Sequence, residues 1–247
     1  MRKSSSSRTR SRRGWRMGGR GSFSVTGLQR TANMRNVGGA SDRRTDVQQA
    51  FREVGFSDVK GTNGIETSVL GAYAIALNRL EREYGAVGAS DDPMFVTGNS
   101  RDVKAAVFYH NDKPSDQFMA INPDMMGMIG TNVRLHRSSE SQGFHAPTDG
   151  RITSEARYAI THEYGHMLSN ALAAKNGMTA SAFSDRAASE IRQIAERRYG
   201  ATRSESVSIY GTTNSAEFFA ESFASHNSGA PNAFGRAMGD WLKDNRL

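Results

Sequence analysis

The chain has 247 residues, 37% of them apolar, enough to bury a substantial core. It has no Cys, which excludes disulfide frameworks, thiol nucleophiles and thiolate metal sites. The net charge of +7 comes from residues 1–41, which hold ten Lys or Arg and no acid, whereas the rest of the chain has 22 basic against 25 acidic residues. The longest apolar run, VLGAYAIAL at 69–77, is too short to cross a bilayer, so no membrane partner is expected.

Residues 1–41 are rich in Ser, Arg and Gly and cannot bury enough apolar surface to offset their ordering entropy, so a disordered basic tail is expected. Two readings of it stand side by side. It is an arm that binds nucleic acid or another polyanion through phosphate contacts, with Trp15 or Phe23 free to stack, or it is a solvated or assembly segment. The pair Arg12–Arg13 in SRRGWRM begins like a twin-arginine export motif, but the residues after it are Gly, Ser, Arg and Asn rather than an apolar h-region.

From residue 42 onward a single domain to residue 247 is expected. DRRTDVQQAFREVG reads as a short helix with Val47, Phe51 and Val54 on one side and Gly55 as its stop. NGIETSVLGAYAIALNRLEREYG reads as a longer core helix, apolar at Val69, Leu70, Tyr73, Leu80 and Tyr84. PMFVTG, KAAVFYHN and DQFMAINPD are short β-prone runs separated by polar turns and predict a small, partly antiparallel mixed sheet over about 94–122. The Gly- and Ser-rich stretch MMGMIGTNVRLHRSSESQGFHAPTDG reads as a loop near a site, its methionines as packing rather than soft-metal ligands. The C-terminal half reads as helical, with a short extended SVSIYG and with Pro231 in the first turn of the last helix. The fold class expected is therefore α+β: a small mixed sheet in the middle, a mostly helical C-terminal half, and the tail in front.

The segment carrying chemistry is TSEARYAITHEYGHMLSNALAAKNG. Thr153 or Ser154 is the expected N-cap and Gly177 the stop signal, with Ile160, Met167, Leu168 and Leu172 as an apolar stripe. His162 and His166 are i and i+4, one above the other on a helix face, and both can grip a divalent metal. Glu163 lies about 100° round the helix, placed to handle a water without being a ligand. A catalytic zinc site needs a third protein ligand. The position six after His166 is Leu172, which excludes the metzincin pattern, so that ligand is distant in sequence.

The best source is SIYGTTNSAEFFAESFASHNSG. Glu217 and Glu221 are again i and i+4 on an expected helix, in an almost chargeless setting of Phe and Ala where burying two acids is costly without a cation. One can bind metal while the other supports the ligands. His226, Asp185 and Glu190 are rivals for the third ligand, and His110, His136 and His145 read as surface or supporting residues.

HEYGH followed some fifty residues later by YGTTNSAEFFAESF resembles the gluzincin zinc peptidases, most closely the catalytic domain of anthrax lethal factor and related toxin, phage and prophage domains. The motifs cover only about residues 155–225. The resemblance implies a zincin-like fold, His162, His166 and Glu217 as zinc ligands, Glu163 as general base, Tyr210 as oxyanion stabiliser and Glu221 as an acid behind the ligands. It implies a metalloendopeptidase acting on a protein or peptide, held by strand addition along QFMAIN, in a setting cytoplasmic in a bacterial host or virion-associated. The rival class is a phage structural or packaging-associated protein, with a nucleic-acid-binding arm and a non-catalytic zincin scaffold.

Overall fold

The computed structural model describes residues 66–85, 105–109, 117–121 and 127–247. The basic tail, the expected helix at 42–55, the PMFVTG run and His110 lie outside them. In chain order the elements are α1 (Thr67–Tyr84), β1 (Ala105–Tyr109), β2 (Gln117–Ile121), α2 (Ile129–Ser141), α3 (Ile152–Lys175), α4 (Ala180–Tyr199), a 3-10 turn (Tyr210–Thr212), α5 (Ser215–His226) and α6 (Ala233–Asp244).

The α+β expectation is corrected by this architecture. The described core is helix on helix, and no mixed sheet is present among the described residues. KAAVFYHN and DQFMAINPD do yield strands, but these form an isolated two-stranded antiparallel ribbon, Ala105 opposite Ile121 and Tyr109 opposite Gln117. A layer of sheet needs more strands than these to cover a core. Of the two strands, β1 lies nearer to α3.

The helix α3 occupies the centre, packed by α1, α2, α4 and α5. It is buried almost all round, from Glu155 to Ala173, as expected of a helix with neighbours on every side. Leu70, Tyr73, Leu77 and Leu80 of α1 meet it from one direction. On another, Phe219 of α5 completes an aromatic cluster with Phe183 of α4 and Trp241 of α6; the Phe219 and Trp241 ring centroids are 5.6 Å apart and perpendicular. No helix among the described residues is long and apolar enough to cross a membrane.

Helix ends follow local chemistry, with three departures from expectation. Thr179 caps α4 by accepting from Ala182 N at 3.2 Å, and Gly200 ends that helix in the left-handed region at φ 69°. However, α3 starts at Ile152 with Arg151 as its N-cap residue, ahead of Thr153 and Ser154; just upstream, the Asp149 carboxylate accepts the Arg151 N–H at 3.1 Å and the Ser154 hydroxyl. The last helix begins at Ala233 with Asn232 as cap, so Pro231 precedes its first turn. The stretch read as a loop contains the 13-residue α2, whose Asn132 accepts from the Tyr73 hydroxyl at 3.1 Å inside the core.

Candidate metal centre

Two helices bring the site residues together. On α3, the i and i+4 spacing sets His162 and His166 on one face, their ring centroids 4.8 Å apart. Opposite, Asn214 caps α5 by accepting the Glu217 N–H at 2.9 Å, which fixes the backbone of Glu217 in the first turn. One turn on, Glu221 projects from the same side.

The approach of the two helices depends on Gly165. A Cβ there would stand 3.0 Å from the Ala220 Cα and 3.3 Å from two atoms of Phe223. With hydrogen in that place, α5 comes close enough for both its carboxylates to reach the histidines.

The resulting triangle is nearly equilateral. His162 Nε2 and His166 Nε2 are 3.1 Å apart, and Glu217 Oε2 is 3.1 Å from the first and 3.2 Å from the second. These residues form a group able to hold a metal ion. Tetrahedral zinc with bonds of about 2.0–2.1 Å needs donor separations of about 3.3–3.4 Å, close to those seen. The donor chemistry fits as well: two imidazoles and one carboxylate leave a fourth position open in a chain without thiolates.

Proton placement argues for a cation in the same spot. His162 Nδ1 lies 2.9 Å from Glu221 Oε1, a carboxylate that can only accept, so Nδ1 carries the proton and Nε2 presents a lone pair. That lone pair faces Glu217 Oε2 and His166 Nε2. Without an ion, positive charge must come from protonation. Burial opposes the charged form of His162, yet the hydrogen bonds to Glu217 and Glu221 outweigh it and hold its pKa well above the ordinary value. Burial likewise pushes the Glu217 and Glu221 carboxyls up, and their histidine partners overcome it, leaving both well below the usual carboxylate range.

Glu221 is fully buried and is the hub of the support behind the ligands. Its Oε1 accepts from His162 Nδ1 and lies 3.1 Å from His145 Nδ1. Its Oε2 accepts from the Ser208 hydroxyl at 2.7 Å, the Tyr158 hydroxyl at 3.0 Å and Ala146 N at 3.3 Å. No signal in the sequence marks Ser208 or Tyr158: their role consists of contact with a residue 13 and 63 positions away. His145, expected only as a surface or supporting residue, takes its place against this carboxylate.

Tyr210 belongs to a 3-10 turn rather than to an extended SVSIYG segment. The turn is tied to the hub because Ser208 Oγ, which donates to Glu221, also accepts the Gly211 N–H at 3.0 Å. The Tyr210 ring lies 5.7 Å from that of His162. Burial raises its phenol pKa, and the negative charges of Glu217 and Glu163 raise it further, so the hydroxyl keeps its proton and can donate. Glu163 is buried, with its charge felt at His162 and at Tyr210, and it is outside the donor triangle.

The rivals for the third ligand are engaged elsewhere. Glu190 accepts the Trp241 indole N–H at 2.7 Å. Asp185 accepts from Ser181 on its own helix. His226 is wedged against Gly239 of α6, where a Cβ would stand 2.5 Å from its ring. His136 lies 3.3 Å from Glu140 and packs on Tyr158.

No protein family, curated protein or solved structure matches this chain.

Proposed function

We propose that the chain is a zinc-dependent metalloendopeptidase. The observation that carries this reading is the triangle of His162, His166 and Glu217 donors, with Glu163 beside it and Tyr210 facing it. The likeness of its HEYGH and YGTTNSAEFFAESF segments to gluzincins supports the same reading.

His162, His166 and Glu217 would hold the ion, and bound zinc supplies a Lewis acid that polarises a carbonyl and acidifies water. Glu163 accepts a proton from the attacking water as its oxygen bonds to the scissile carbon, then delivers that proton to the amine nitrogen as the C–N bond breaks. The Tyr210 hydroxyl donates to the carbonyl oxygen while it carries negative charge. Glu221 keeps His162 in the tautomer with Nε2 unprotonated. The arm at 1–41, with ten basic residues and no acid, is assigned to a polyanion such as nucleic acid.

The test is metal analysis together with a broad peptide-cleavage profile of wild type and Glu163→Gln. The variant should keep about one zinc per chain and lose nearly all cleavage, because Glu163 moves protons and is not a ligand. Zinc-loaded wild type that cleaves no peptide in the library would make the domain a non-catalytic scaffold.

A further inference from the structure

Away from the metal centre, one arginine is drawn out of water without a counter-charge. Arg157 of α3 is half-buried, and its Nε is sealed from solvent with no hydrogen-bond partner. It lies about 140° round the helix from His162 and about 180° from His166, so it faces away from the donor triangle. Burial lowers its pKa, and the charge that lowers it further is another cation, Arg79 of α1.

Arg79 is exposed and is held in place from the end of α5. Its Nη2 donates to the carbonyl of Asn227, the C-cap of that helix, at 3.4 Å and to Asn227 Oδ1 at 3.0 Å. Asn227 is itself fixed, its Nδ2 donating to Phe223 O at 3.0 Å. Glu83, one turn beyond Arg79, accepts instead from the Tyr84 hydroxyl at 2.9 Å. Among the described residues, ion pairs engage Arg137, Arg151, Arg186, Arg198 and Arg203, but neither Arg79 nor Arg157.

A guanidinium cannot shed its proton to escape burial, so Arg157 carries an uncompensated desolvation cost and repulsion from Arg79 besides. An anion between the two removes both. One carboxylate is satisfied by a single guanidinium fork, whereas a phosphate, with three or more oxygens and up to two charges, takes donors from both. A nucleic-acid backbone needs a row of cations, and the next charge along α1 is the acid Glu83.

We propose that Arg79 and Arg157 form a site for a single phosphate group, inorganic or the monoester end of a small molecule, where α1 and α3 meet the end of α5. The site stands independently of the zinc-peptidase reading, because it lies on the far side of α3 from the triangle.

The test is calorimetric titration of the full chain, zinc-loaded and chelated, with inorganic phosphate and with acetate at constant ionic strength. Phosphate should bind alike in both forms, at least about tenfold more tightly than acetate, and should raise the thermal midpoint. Arg157→Met, which keeps the aliphatic stem, and Arg79→Gln should each weaken phosphate binding at least about tenfold. Without phosphate, Arg157→Met should melt no lower than wild type, since the uncompensated charge is gone; an arginine kept for structure alone would not behave so. If Arg157→Met does not fold, Arg79→Gln, at an exposed position, decides the matter. Acetate binding as tight as that of phosphate, or phosphate binding unchanged in the variants, overturns the site. Binding that requires zinc places the anion on the metal and overturns it too. Oligothymidylate binding that falls in the variants as phosphate binding does makes the pair part of a nucleic-acid surface, and the small-phosphate assignment fails.

Discussion

Replacing Gly165 by Ala tests whether the close crossing of α3 and α5 builds the site. The new Cβ meets the Ala220 Cα at 3.0 Å and Phe223 Cβ and Cδ1 at 3.3 Å, where ordinary contact begins at 3.4 Å, so α5 must retreat by about 0.4 Å. Overpacking of this kind costs about 1–3 kcal/mol, and the better helix propensity of Ala returns about 1 kcal/mol, leaving a net loss of up to about 2 kcal/mol. For a domain of this size that lowers the Tm by up to about 8 °C. The shift also carries Glu217 and Glu221 away from the histidines by nearly the whole tolerance of about 0.5 Å for such constellations, and zinc affinity should fall about tenfold. Gly71 in the middle of α1 supplies the control, because a Cβ there meets nothing within 4 Å and Gly71→Ala should raise stability by about 0.5–1 kcal/mol. Calorimetric Tm and competition with a zinc chelator measure both effects. If Gly165→Ala stabilises as Gly71→Ala does and holds zinc as wild type does, the helix approach does not limit the site.

Glu217→Ala should lose most of its zinc at modest chelator concentration, while Glu221→Ala should keep zinc with about 10–100-fold weaker affinity and lose about 3 kcal/mol of stability, its buried donors having lost their acceptor. Glu190→Ala, which releases the Trp241 indole and an exposed ion pair with Arg186, should bind zinc normally at a cost of about 1 kcal/mol; zinc loss there with retention in Glu217→Ala would reverse the ligand assignment. Burial pushes Glu81 up to about 7 from 4.5, so the folded protein holds a proton that the unfolded chain releases; this contribution to stability is full below pH 4.5 and is lost as the pH rises through 7. Glu81→Gln should therefore raise the Tm at pH 8 and flatten its dependence between pH 4.5 and 7, and an unchanged pH profile would refute the assignment. Removing residues 1–41, with their ten basic side chains, should abolish salt-sensitive binding to DNA while leaving the Tm in place; the same salt slope in the truncated chain would refute the arm.

What the sequence determined by itself was what helix periodicity and short-range chemistry can carry. The i, i+4 pairs His162/His166 and Glu217/Glu221 announce two helix faces, and each face exists as read. The C-terminal half is helical as read, and the ends of α4 at Thr179 and Gly200 are set by bonds within a few positions. Tyr210 and the choice of Glu217 as ligand came from the resemblance of one motif, and no periodicity in the chain points to either.

Tertiary structure decided the rest. The α2 segment holds three Ser and one Gly among its 13 residues and is weak in helix propensity, yet it is helical because Asn132, Val133 and His136 are buried beside its neighbours, a gain no local pattern displays. The strand-like runs at 105–109 and 117–121 pair only with each other among the described residues, because β propensity does not say whether further strands will join. Glycine in HEYGH reads as a poor helix former until Ala220 is seen against it. The assembly behind the ligands, Glu221 with His145, Tyr158 and Ser208, joins residues separated by as many as 76 positions, and its energy comes from satisfying one buried carboxylate. Such a demand arises only once packing has removed the water, which is why it leaves no trace in the order of the residues.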